Sequence, residues 1–121
     1  MKAIIATNNL AFIGMDNNLL WHHPEDLKHF KRLTLNQRLL VGYRTALSLP
    51  PLKNRELVID ERDKIITDVD WCIGGKKTYE KYCHLFTELH ISHIDNNDIG
   101  NVVIPDFTNL NKNCIIYNYN F

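Results

Sequence analysis

Two apolar runs in this chain each end at glycine and then switch to helical spacing. Leu39-Leu40-Val41 is followed by Gly42 and the segment Tyr43 to Leu49. Trp71-Cys72-Ile73 is followed by Gly74-Gly75 and the segment Lys76 to Cys83. An apolar run without polar alternation suits a strand covered on both faces, which is the habit of parallel sheets. Parallel neighbours need a crossover rather than a hairpin, and the crossover is usually a helix. The remainder of the chain repeats this order. Lys2 to Asn8 reads as a central strand and Pro24 to Thr34 as a helix. Glu56 to Ile59, Glu88 to Ile94 and Asn113 to Tyr119 read as strands, with Lys64 to Thr67 as a further short one. Asn9 to His23 shows no sustained period and reads as a long functional loop. The expected fold class is α/β: a single domain over 1–121 with a mostly parallel sheet flanked by helices.

Composition narrows the function classes. The chain has 121 residues, 45% hydrophobic, enough for one core with little to spare. Fourteen basic and 14 acidic residues balance to zero net charge, which gives no reason to expect nucleic acid or a membrane surface as partner. No apolar run approaches the roughly 20 residues of a membrane span, and Ala3-Ile4-Ile5 is too short for a signal peptide core. Cys72, Cys83 and Cys114 are odd in number and widely spaced, so they read as reduced thiols in a cytoplasmic protein. The six histidines are dispersed without metal-ligand spacing, so no metal is expected. His22-His23 reads as loop filling.

The segment Pro24-Glu25-Asp26-Leu27-Lys28-His29-Phe30-Lys31-Arg32-Leu33-Thr34 starts with proline and acids, as helices do. Steps of about 100° put Leu27, Phe30, Leu33 and Thr34 on one face and Glu25, Lys28, His29 and Arg32 on the other. Asp26 falls inside the apolar stripe. An unpaired buried carboxylate costs several kcal/mol, so it is paired internally or receives a ligand. A helix-dipole role for a first-turn acid is the plainer alternative.

Two strand-to-helix turns suit an anion. Gly42-Tyr43-Arg44-Thr45 offers free backbone N–H groups, a hydroxyl and a guanidinium. Gly74-Gly75-Lys76-Lys77-Thr78 offers close backbone approach and two ammonium groups. Either alone is more simply an ordinary turn with a solvated basic tip. Both lie at C-terminal strand ends, where open α/β sheets bind nucleotides.

The ordered blocks Ile4-Ile5-Ala6-Thr7-Asn8-Asn9, Ile13-Gly14-Met15-Asp16-Asn17, Leu20-Trp21, Pro24-Glu25-Asp26-Leu27 and Phe30-Lys31-Arg32-Leu33-Thr34 resemble the N-terminal third of dihydrofolate reductase. Val41-Gly42-Tyr43-Arg44-Thr45, Leu52-Lys53-Asn54-Arg55, Ile73-Gly74-Gly75, Tyr79-Glu80, Ser92-His93-Ile94-Asp95 and Ile104-Pro105-Asp106 continue the resemblance in the family's order. The resemblance implies reduction of 7,8-dihydrofolate with hydride from NADPH. It makes Asp26 the carboxylate that receives the pterin, with Ser92 beside it and Trp21 in the same catalytic group. It makes Ile5, Ala6, Leu27, Phe30, Leu49 and Ile73 the walls around the substrate, and Arg55 the partner of its glutamate carboxylate. Ala6, Ile13, Gly14, Asn17 and Leu19 would meet the cofactor, with Met15, Asn17, Leu19 and Trp21 on a mobile loop. Gly42, Tyr43, Arg44, Thr45, Gly74, Gly75, Lys76, Lys77, Thr78 and Tyr79 would hold its phosphates, with a cis Gly-Gly peptide. Antifolates would be ligands.

The sequence departs from the family in three places. Asp60-Glu61-Arg62-Asp63 is net acidic where the family receives the 2′-phosphate of NADPH; Arg44, Arg62 and Lys77 can compensate, so NADPH is expected to be preferred by a smaller margin, with more use of NADH. Residues 60–70 cannot hold both a strand and a helix at rises of about 3.3 and 1.5 Å per residue. The adenosine-side region is therefore trimmed. Thr108 to Phe121 supplies one strand rather than a final hairpin, leaving an open edge that favours either a monomer or a homodimer. The alternative function is a reductase-like binding or structural protein with weak or lost catalysis.

Overall fold

The structure is a computed structural model describing residues 1–14, 23–107 and 113–120. The elements are β1 (Lys2–Asn8), β2 (Phe12–Gly14), α1 (Pro24–Thr34), β3 (Arg38–Val41), α2 (Tyr43–Ser48), β4 (Glu56–Ile59), β5 (Trp71–Cys72), α3 (Lys76–Tyr82), a 3-10 turn (Cys83–Leu85), β6 (Glu88–Ile94), β7 (Val102–Val103) and β8 (Asn113–Tyr119). Six strands form one sheet in the order β4-β3-β5-β1-β6-β8, and every neighbouring pair is parallel. The apolar runs occupy the middle: Leu39, Leu40, Val41 and Cys72 are fully buried.

Alternation along the strands assigns the two faces. Ala3, Ile5, Leu40, Cys72 and Leu89 pack with Tyr79 and Tyr82 of α3 and with Phe86. Ile4, Leu39 and Trp71 pack with Phe30 and Leu33 of α1. The sheet is thus covered by α3 on one face and α1 on the other. Burial pushes the Cys72 thiol up to about 12, so it stays protonated and inert.

Four expectations are corrected. His29, assigned to the polar face of α1, is buried against Tyr117 and Tyr119 of β8. His23 is no loop filler: it is the N-cap of α1, its Nδ1 accepts from the Asp26 N–H at 3.4 Å, and its Nε2 lies 3.0 Å from the Asn120 carbonyl. The loop from Asn9 contains β2, which pairs antiparallel with β7. Lys64 to Thr67 is not a strand, because no neighbouring strand pairs with it and the Ile66 N–H donates to the Tyr82 hydroxyl at 2.9 Å.

Candidate active site

The C-terminal ends of β3, β4 and β5 open into one cleft of about 1040 Å³, which continues past β1 to α1. Asp26, Leu27 and Phe30 of α1 line one end together with Ile5, Ala6, Leu49, Ile73 and Ser92. Pro24 starts α1 and His23 caps it, so Asp26 is fixed in the first turn. The carboxylate accepts no hydrogen bond from the described residues and faces the cleft only half-buried. Leu27 is 41% exposed although it lies on the apolar face, because it borders this cleft rather than the core. Ser92 is buried on β6, in register with Ala6 of β1.

The other end is built from two crossing turns. The Gly42 N–H donates to the Gly74 carbonyl at 2.7 Å. A Cβ on Gly42 would come 2.7 Å from the Thr78 hydroxyl, and one on Gly75 would come 2.7 Å from the Thr45 hydroxyl. Each glycine therefore clears space for the threonine of the opposite helix. Gly74 has φ +123°, a conformation that favours glycine, and its peptide to Gly75 is cis, as the resemblance implied. The Tyr79 ring packs under Gly74, and its hydroxyl donates to the Ile4 carbonyl at 2.6 Å. Burial raises the Tyr79 phenol well above its ordinary range, so this donor stays protonated.

Of the residues singled out in the sequence, Ile13, Gly14, Gly42, Tyr43, Arg44, Thr45, Arg62, Gly74, Gly75, Lys76, Lys77, Thr78 and Tyr79 also line the cleft. Arg55 does not. Its guanidinium lies over the ring of Phe30, itself a lining residue, at 5.9 Å, and its Nε donates to the Lys53 carbonyl at 3.0 Å. Asn17, Leu19 and Trp21, with Met15, lie outside the described residues. The cleft also takes in Leu52, Asp60, Lys81 and Val102. Val102 arrives through the unforeseen β2–β7 pair. Lys81 could have been found as the i+4 neighbour of Lys77 on one helix face.

A sheet with a carboxylate on its first helix and paired glycine turns at its strand ends invites comparison with known proteins. Residues 1–71 match the family model for dihydrofolate reductase. The chain belongs to the dihydrofolate reductase family. It is 32% identical over 129 residues to dihydrofolate reductase type 3 of Salmonella typhimurium, covering 89% of this chain and 78% of the relative. It is 30% identical over 128 residues to the dihydrofolate reductase of Buchnera aphidicola subsp. Schizaphis graminum, covering 88% and 80%. The solved structure of dihydrofolate reductase from Enterococcus faecalis, complexed with NADP(H) and RAB-propyl, aligns with TM-score 0.74 at 24% identity. That alignment covers 88% of this chain and 77% of that one and establishes the shared fold. Against that family frame, residues 60–70 of this chain hold neither helix nor strand. Among the described residues, no helix is long and apolar enough to cross a membrane.

Proposed function

We propose that the chain reduces 7,8-dihydrofolate to tetrahydrofolate with NADPH, in the cleft between α1 and the two glycine turns. The observation that carries the reading is a carboxylate, Asp26, which accepts no hydrogen bond from the described residues and opens into the same cleft as those turns. At about 1040 Å³ the cleft stands at the upper end of ligand pockets, roughly 300–1,000 Å³, and it runs from Asp26 on α1 to both glycine turns. The glycine turns lie in the cleft lining beside Arg44, Lys76 and Lys77, which suits the phosphates of a dinucleotide.

Asp26 accepts two parallel hydrogen bonds from the 2-amino group and ring N–H of the pterin, which fixes the ring's orientation. Its charge favours a proton on the imine nitrogen, delivered by water. Ser92 offers a hydroxyl at the same end. Ile5, Ala6, Leu27, Phe30, Leu49 and Ile73 wall the rings and exclude bulk water, which strengthens the Asp26 contacts. The cofactor, when bound, supplies hydride. Backbone N–H groups of 43–45 and 75–78, with the Thr45 and Thr78 hydroxyls, would hold its phosphates.

Electrostatics favour NADPH. Arg44, Arg62, Lys76 and Lys77 line the cleft and form no ion pair with the described residues. Two of the three acids that oppose a phosphate in the sequence are paired: Asp60 with Lys81 at 3.1 Å, and Glu61, outside the cleft lining, with Lys64 at 3.2 Å. The test is dihydrofolate-dependent oxidation of NADPH by the purified chain. Turnover with saturable dihydrofolate supports the reading. Tight binding of both ligands without turnover favours the binding-protein alternative.

A further inference from the structure

Lys81 lies in the cleft wall, yet its ammonium has nothing left to give a ligand. Nζ contacts both Asp60 carboxylate oxygens at 3.1 Å, the Glu61 carbonyl at 2.9 Å and the Lys64 carbonyl at 2.7 Å. An ammonium has three protons, so these acceptors saturate it. The neighbouring Tyr82 is fully buried, donates to Asp60 at 2.7 Å and accepts from the Ile66 N–H at 2.9 Å. Two consecutive residues of α3 therefore pin the chain at 60, 61, 64 and 66. Arg62 lies between the pinned points and lines the cleft without an ion pair among the described residues. The same helix begins at the Gly75 turn.

We propose that Lys81 is a positioning residue for coenzyme choice: it fixes the 60–66 segment to α3 so that Arg62 faces the 2′-phosphate of NADPH. In a stretch with no helix or strand, the Lys81 ammonium, beside the Tyr82 hydroxyl, replaces support that regular structure would provide. The inference rests on the cleft taking a nicotinamide dinucleotide.

The experiment compares Michaelis constants for NADPH and NADH in the wild type, Lys81→Met, Arg62→Gln and the double variant. Losing a charge-assisted contact is worth on the order of tenfold. Lys81→Met is expected to shift the NADPH-to-NADH ratio by about that factor toward NADH through the Michaelis constants, leaving kcat within twofold. The double variant is expected to match Arg62→Gln, because a displaced Arg62 has nothing more to lose. Lys81→Met also bares the Asp60 carboxylate, so Lys81→Met with Asp60→Asn is measured beside it. If that pair restores the wild-type ratio, Lys81 only masks a charge and the proposal fails. Equal changes for both cofactors, or additive effects of Lys81→Met and Arg62→Gln, also overturn it. Lys81→Gln, which keeps one donor and most of the stem, is expected to fall between wild type and Lys81→Met, and stands in if Lys81→Met does not fold. A wild type that oxidises neither cofactor removes the parent reading itself; a wild type that discriminates while the variants do not change removes the clamp alone.

Discussion

The imidazole of His29 packs against the ring of Tyr117 with centroids 4.0 Å apart, tying the helix that carries Asp26 to the edge strand β8. On the same strand, the Tyr117 hydroxyl lies 3.2 Å from Nδ1 of His90. Among the described residues, the buried His29 Nε2 has no hydrogen-bond partner, and the buried His90 Nε2 lies 3.6 Å from the Glu88 carboxylate, beyond hydrogen-bond distance.

Burial lowers the pKa of both imidazoles below the ordinary 6.5; Asp26 opposes the shift at His29 and Glu88 opposes it at His90, while Arg32 and Lys2 add to it. Both rings therefore stay neutral in the folded chain where they charge in the unfolded one. The unfolded state binds more protons below about pH 6.5, so stability falls as pH drops from there through the lowered values. Thermal unfolding between neutral and mildly acidic pH is expected to show a falling Tm. His29→Phe keeps the ring contact and removes one titrating group, so its Tm is expected to fall less steeply. An unchanged slope in that variant contradicts the role given to His29.

The crossing turns give a prediction about packing. Gly42→Ala drives a methyl to 2.7 Å from the buried Thr78 hydroxyl. Overpacking of this kind is expected to destabilise by about 1–3 kcal/mol. Adding Thr78→Ala removes the obstructing atom, so the double variant is expected to regain part of the lost Tm. If the two losses simply add in denaturant unfolding, the turns do not interlock as described.

A diaminopyrimidine antifolate carries a protonated ring that matches a carboxylate in a bidentate pair. At 100 times its Kd such a ligand adds about 2.7 kcal/mol to stability. A thermal shift with the wild type that disappears in Asp26→Asn places the inhibitor on that carboxylate. No shift at high concentration counts against a folate pocket.

The sequence disclosed what local pattern controls. Leu39 to Val41 and Trp71-Cys72 are buried on both faces, so an unbroken apolar run was enough to find them. Asp26 was visible because a charge interrupts the α1 stripe. Long-range packing was hidden. His29 looked like a surface residue because the strand that covers it lies far along the chain. β2 and β7 span three and two residues, too few to show a period of two. The apolar pair Ile65-Ile66 suggested a strand, but backbone propensity yields to the absence of a pairing neighbour. Arg55 has no signal in local pattern and rests on resemblance alone; its guanidinium lies over Phe30. The net charge of 60–63 tells only part of what a cofactor meets there, because Asp60 and Glu61 have ion-pair partners and Lys81 comes from a different element.

The central claim is that Asp26 is the group on which dihydrofolate reduction depends. The most direct measurement compares dihydrofolate-dependent NADPH oxidation by wild type and Asp26→Asn near neutral pH, with Tm and NADPH affinity recorded for both. The amide keeps the shape of the side chain and removes its charge. The expected result is loss of most of kcat/KM for dihydrofolate, with the fold and NADPH affinity retained. Unchanged turnover in Asp26→Asn would contradict the assignment.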